Sequence, residues 1–153
     1  MTVYYCDSSA LVKCYVQEQG SAWMRTLLDP TGGHQLYLAS ITGVEVIAAV
    51  TRRLRRGDIA ATDGAAAIAQ FRQDFAQRYR LIDFTPPLVA RAMTLAETHS
   101  LRGYDAVQLA TAVEIHVRGL TLGLPALTLV SADEELNRAA RTEGLIVEDP
   151  NTH

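Results

Sequence analysis

Apolar residues along the chain follow two alternating patterns. Short dense runs, TVYYC (Thr2 to Cys6), QLYLA (Gln35 to Ala39), RLIDF (Arg80 to Phe84), ALTLV (Ala126 to Val130) and LIVED (Leu145 to Asp149), read as short strands, the first of them buried. Between them the spacing changes. Val44, Ile47, Ala48, Thr51 and Leu54 recur at three- and four-residue intervals, which is a helical period, and Gly57 stops that helix. An amphipathic helix through AWMRTLL precedes the turn signal TGG at Thr31 to Gly33. Further helices are expected from Ile59 to about Tyr79, over PPLVARAMTLAETHS with Pro86 and Pro87 at its start, from Tyr104 to about Arg118, and over ADEELNRAARTEG, closed by Gly144. Short apolar strands joined by helices predict an α/β fold with a central, mostly parallel sheet covered on both faces. No repeat, low-complexity tract or linker divides the chain, so a single domain is expected over residues 1–149, followed by a polar tail at 150–153.

Composition narrows the setting. With 153 residues and 48% hydrophobic content, the chain is long enough to bury a core. A net charge of -3 argues against a strongly basic nucleic-acid coat, while local basic faces stay open. Cys6 and Cys14 have neither CxxC spacing nor metal-site company, so a disulfide framework is not expected and a reducing cytosol suits them. No secretory signal and no membrane-spanning apolar run is present, which predicts a soluble cytoplasmic protein with no membrane association.

The chemistry lies at the junctions. Ligands of a parallel sheet collect at the carboxyl ends of its strands, where helix N-termini also point. Asp7 follows the first strand, and Ser131 and Asp133 follow the fourth; Glu45 and Asp105 fall in the first turns of their helices. Each acid alone has a local explanation. Asp7 suits a helix cap, Thr42-Gly-Val-Glu45 and Ser131-Ala-Asp-Glu134 fit the S/T-x-x-E capping box, and Asp105 and Asp133 complement helix dipoles. Together they demand more. Four gathered carboxylates repel and raise one another's pKa values, so convergence makes sense around a cation. All-oxygen ligation selects a hard ion, Mg²⁺ or Mn²⁺.

The blocks "CDSSALVKCYVQEQGS", "SITGVEVIAAV", "LRGYDAVQLATAV" and "LVSADEELNRAA" resemble the signature stretches of PIN-domain nucleases, in particular the VapC-type toxins of bacterial toxin–antitoxin pairs. The resemblance runs from Val3 to about Val147, with DSSALVK and RGYDAVQLATA its more specific stretches. It implies a PIN-like three-layer α/β/α sandwich. It implies that Asp7, Glu45, Asp105 and Asp133 form a metal-binding acidic quartet, with Ser131 and Ser8 as supporting hydroxyls. Dependence on Mg²⁺ or Mn²⁺, an RNA substrate, a homodimer and a small VapB-like antitoxin partner are implied as well.

The remaining residues add less. Arg52 and Arg56 lie near whole helical turns beyond Glu45, so a basic track for phosphates competes with a solvated helix end; Arg102, beside GYD, is a further phosphate candidate. The spacing of Tyr4, Tyr5, Trp23, Phe71, Phe75 and Tyr79 favours packing over base stacking. His34, His99, His116 and His153 show no HExxH or triad company. A dehalogenase-like phosphatase would want an acid where Ser9 stands, a receiver domain would want a lysine after a late strand, and no P-loop or GxGxxG is present. The competing reading is a non-catalytic PIN-like module that grips RNA or a protein.

Overall fold

The computed structural model describes Met1–His153. Its centre is a five-stranded sheet in the order β3-β2-β1-β4-β5, formed by β1 (Val3–Cys6), β2 (Gln35–Ala39), β3 (Arg80–Ile82), β4 (Leu127–Val130) and β5 (Ile146–Glu148). Every pairing is parallel, with Tyr5 opposite Tyr37 on one side and Leu129 on the other. The expected "mostly parallel" sheet is thus wholly parallel. Strand alternation sends Val3, Tyr5, Leu127 and Leu129 into one core and Cys6, Leu36, Leu38 and Val130 into the other.

Seven helices cover the two faces. The first core is closed by α5 (Pro86–His99), α6 (Gly103–Thr121) and α7 (Glu134–Thr142). The second is closed by α1 (Ser8–Leu11) with a 3-10 turn at Val12–Cys14, α2 (Ser21–Leu27), α3 (Ile41–Arg56) and α4 (Ala61–Gln77). The result is the three-layer α/β/α sandwich.

Local chemistry sets the helix ends. Asp7, Thr85 and Asp133 accept from backbone N–H groups at the starts of α1, α5 and α7, and Pro86 opens α5 where its missing donor costs nothing. Gly57 ends α3 with φ at 77°, a left-handed conformation that glycine adopts freely. Neither expected capping box forms. Thr42 already lies inside α3, buried and bonded to Gln108, while Ser40 is the N-cap. At α7 the cap is Asp133 rather than Ser131. The residues after Asp149 form another 3-10 turn, with Pro150 buried and His153 stacked on Trp23 at 4.1 Å between centroids. No helix is long and apolar enough to cross a membrane.

Candidate active site

The strand order reverses direction between β1 and β4. From β1 the chain steps to β2 and β3, and only then returns across the other face to β4 and β5. Such a switch point opens a crevice beyond the carboxyl ends of its two strands. Asp7 follows β1 and Ser131 follows β4, so the topology itself brings them together. The Asp7 amide bonds to the Val130 carbonyl at 3.2 Å. Three groups then satisfy its buried carboxylate: the Ser131 hydroxyl at 2.9 Å, the Ser9 hydroxyl at 2.7 Å and the Ala10 amide at 3.1 Å. Ser9 also accepts from the Ala132 amide at 2.9 Å, tying the two strand ends into one unit.

Glu45 reaches this unit from α3. The Ser8 hydroxyl donates to its Oε2 at 3.2 Å, and the Gln108 amide donates to its Oε1 at 2.6 Å. Gln108 is itself fixed: the Tyr5 hydroxyl donates to its carbonyl oxygen, and its amide also bonds Thr42 Oγ1 at 3.0 Å. On the other side, at the starts of α6 and α7, Arg102 bridges Asp105 and Asp133 at 3.3 Å each. A cavity of about 610 Å³ opens over Ser8, Ser9 and Glu45, with Arg52, Arg53, Lys13 and Tyr104 on its walls.

A model of the PIN domain family matches residues 4–142. The chain belongs to the PIN-domain family. Two curated relatives from Mycobacterium tuberculosis, "Ribonuclease VapC45" and "Ribonuclease VapC49", are each 32% identical over 94% of this chain and 93% of their own length. Among solved structures, PAE2754 from Pyrobaculum aerophilum superposes with a TM-score of 0.64 at 23% identity, covering 99% of this chain and 91% of that one. VapBC2 from Rickettsia felis, solved with a DNA fragment from its promoter, gives 0.57 at 16% identity, covering 97% and 98%. At these identities the structures speak to the PIN fold alone.

Electrostatically the site of this PIN domain is a run of neighbouring acids, three of which are pushed above the ordinary carboxylate range. Burial pushes the Asp7 carboxyl up to about 7, against the pull of its Ser9, Ala10 and Ser131 bonds, and the Glu45 charge adds to the rise. Burial also raises Glu45, opposed by Gln108 and Ser8 and reinforced by Asp105. Burial raises Asp105 too, with Asp133 adding to the rise and Arg102 countering it. Each acid thus senses the next, from Asp7 through Glu45 and Asp105 to Asp133.

The donors are all oxygen, and the cluster is short of positive charge, which is the chemistry a hard divalent ion satisfies. As the side chains stand, no three acids close on a single point. Arg102 occupies the cationic role between Asp105 and Asp133, while Glu45 is drawn toward Gln108. The residues fit a divalent ion in kind, with Asp105 now paired to Arg102 and Glu45 bonded to Gln108.

Of the two arginines expected on the face of Glu45, Arg52 lines the cavity and Arg56 lies beyond it at the exposed end of α3. Three features escaped the sequence reading. Gln108 is buried and orients Glu45; Glu18 pairs with Lys13 at 3.3 Å and with Arg53, furnishing one wall; Tyr104 stands exposed at the mouth. The first had a visible signal, a glutamine one helical turn beyond Asp105 on an otherwise apolar face.

Proposed function

We propose that this PIN domain is a Mg²⁺- or Mn²⁺-dependent endoribonuclease that hydrolyses RNA phosphodiester bonds as the toxin of a VapBC-type toxin–antitoxin pair. One observation carries the reading: three successive acids, Asp7, Glu45 and Asp105, are each raised by burial and by a neighbouring acid beside an open, cation-walled cavity. The names of the Mycobacterium tuberculosis relatives support the choice of RNA. A bound divalent ion supplies water activation and stabilisation of charge on the phosphoryl oxygens. Asp7 and Asp105 are the assigned direct ligands. Glu45, aimed by Gln108 and Ser8, orients the attacking water or completes the ligand set. Asp133 acts through water, and Ser131 and Ser8 hold the carboxylates in register. Arg52 and Arg102 take the flanking phosphates.

A small VapB-like antitoxin is the proposed protein partner, in keeping with the pairing named in the Rickettsia felis structure. An apolar groove between α3 and α4, floored by Ile47, Phe71 and Phe75 and rimmed by Arg52, Arg55 and Arg72, suits a helix with acidic flanks. Exposed Met93, Val117, Leu120 and Leu122 support a homodimer. The free cysteines suit action in the cytoplasm.

The test uses protein freed of any co-purifying partner, a panel of structured RNAs, and Mg²⁺, Mn²⁺ or chelator. Cleavage should require metal and should vanish in folded Asp105→Asn and Glu45→Gln variants. Cleavage that persists in chelator or in both variants overturns the metal-nuclease reading. The Arg102 bridge favours a second reading, a non-catalytic binding module in which arginine permanently replaces metal. RNA binding without cleavage under every metal condition would establish that one.

A further inference from the structure

The cavity over the acids continues past Glu45. Ile41, Val44 and Tyr104 line it, and the same three residues, with Ser40, Phe84 and Val107, line an adjoining cavity of about 300 Å³. Three large apolar side chains stand open there: Val44 is 66% exposed, Tyr104 63% and Phe84 54%. Isolated exposed apolar residues are ordinary, but several around one hollow mark a binding surface. Neither Tyr104 nor Phe84 stacks on another ring of this chain.

We propose that the adjoining cavity is a nucleobase subsite, which takes the base of a nucleotide next to the phosphodiester engaged at the acids, with Tyr104 as its stacking surface. The proposal rests on the ribonuclease reading above. A nucleotide joins a flat, weakly polar base to an anionic phosphate through one sugar. The two cavities differ in the same sense: Lys13, Glu18, Glu45, Arg52 and Arg53 bring charge to the first beside its seven hydrophobic residues, whereas five of the six residues lining the second are hydrophobic and none is charged. Their shared wall of Ile41, Val44 and Tyr104 sets the two hollows side by side. Tyr104 precedes Asp105 in the first turn of α6, so a single helix start fixes base and phosphate relative to each other. Size argues the same way. The hollow lies at the lower end of small-ligand pockets, which run about 300–1,000 Å³. A helix from a protein partner needs a longer track of anchors, which the α3–α4 groove offers and this hollow does not. Stacking on an aromatic face accepts any base, so the subsite distinguishes base from no base before it distinguishes one base from another.

The experiment measures fluorescence anisotropy in chelator, so that nothing is cut. Probes are labelled single-stranded oligouridine, oligoadenosine and an abasic ribose-phosphate oligomer of equal length. Wild type should bind the base-bearing probes roughly five- to tenfold more tightly than the abasic one. Tyr104→Ala should erase that preference while leaving abasic binding unchanged, Tyr104→Phe should keep it, and Phe84→Ala should reduce it. Both side chains changed are exposed, so the three variants should fold, as thermal melts will register. Equal binding of all probes by wild type overturns the proposal, as does a Tyr104→Ala variant that weakens every probe alike. If Tyr104→Ala separates copies of the chain in sedimentation while base preference persists, the patch is a protein contact and the subsite is rejected. A wild type that cleaves RNA with metal but shows no base preference loses only the subsite. One that neither binds nor cleaves loses the ribonuclease reading as well.

Discussion

Asp7 carries two demands that pull in opposite directions. It caps α1, and its carboxylate is satisfied by two serine hydroxyls and one amide, yet burial raises its pKa to about 7 from an ordinary 3.8. The folded state therefore holds the Asp7 proton more tightly than the unfolded chain does. Stability from this group is complete below about pH 4, declines as pH rises toward 7, and is flat above it. At about 1.4 kcal/mol per pH unit the loss is on the order of 4 kcal/mol, and the raised Glu45 and Asp105 push in the same direction. Urea unfolding in chelator should show wild type less stable at pH 8 than at pH 5, with Asp7→Asn flattening that slope and more stable than wild type at pH 8. Asparagine caps a helix as well as aspartate does, so uniform destabilisation would instead mark Asp7 as chiefly structural. Gln108 presents the opposite case, a buried polar group whose value lies in its partners. Gln108→Leu strands Glu45 Oε1, the Thr42 hydroxyl and the Tyr5 hydroxyl at once. The expected cost is about 2–3 kcal/mol by urea unfolding, together with a fall in cleavage at saturating metal, since an unpartnered buried donor or acceptor costs about 1–3 kcal/mol.

Elements were far more legible in the sequence than the contacts between them. The dense runs placed all five strands, and the helical period placed α3 and located its stop at Gly57, because period and terminator are properties of adjacent residues. The capping boxes failed because each depends on where a helix begins. Thr42 lies one residue inside α3, where burial against Gln108 outweighs a local bond to the backbone. Gln108 itself sits 63 residues from Glu45 and 103 from Tyr5, so its role exists only once the sheet has formed. The chain end is another such case. Gly20, with φ at 82°, lets the turn before α2 press against the final 3-10 turn, and a Cβ there would meet the Pro150 carbonyl oxygen at 2.2 Å. Gln19 also donates to the Asn151 carbonyl at 2.8 Å. Gly20→Ala should cost about 2–4 kcal/mol, from left-handed backbone plus overpacking. It should also release His153 from Trp23, the lone tryptophan, so a red-shifted Trp23 emission under native conditions would report the undocking.

Across the whole molecule the net charge of -3 opposes a polyanion, so any RNA must be held by a local arrangement of cations. That arrangement is asymmetric. Arg52 and Arg53 stand on the cavity wall and Arg102 stands at the acids, but Arg53 is committed to Glu18 and Arg102 to Asp105 and Asp133. Arg52 has no ion-pair partner among the salt bridges of the chain, so its charge is available to a phosphate without breaking an existing bond. Helical spacing alone had grouped it with Arg56. The cavity separates them, because one further turn of α3 carries Arg56 past the rim into solvent. Binding of single-stranded RNA falls with salt, by a logarithmic slope of about 0.7 for each phosphate neutralised. Anisotropy titrations in chelator across a salt series should therefore give Arg52→Ala a slope shallower by about 0.7, with Arg56→Ala matching wild type. Equal effects of the two substitutions would mean that RNA tracks along the whole exposed face of α3, and the phosphate path would have to be redrawn away from the cavity.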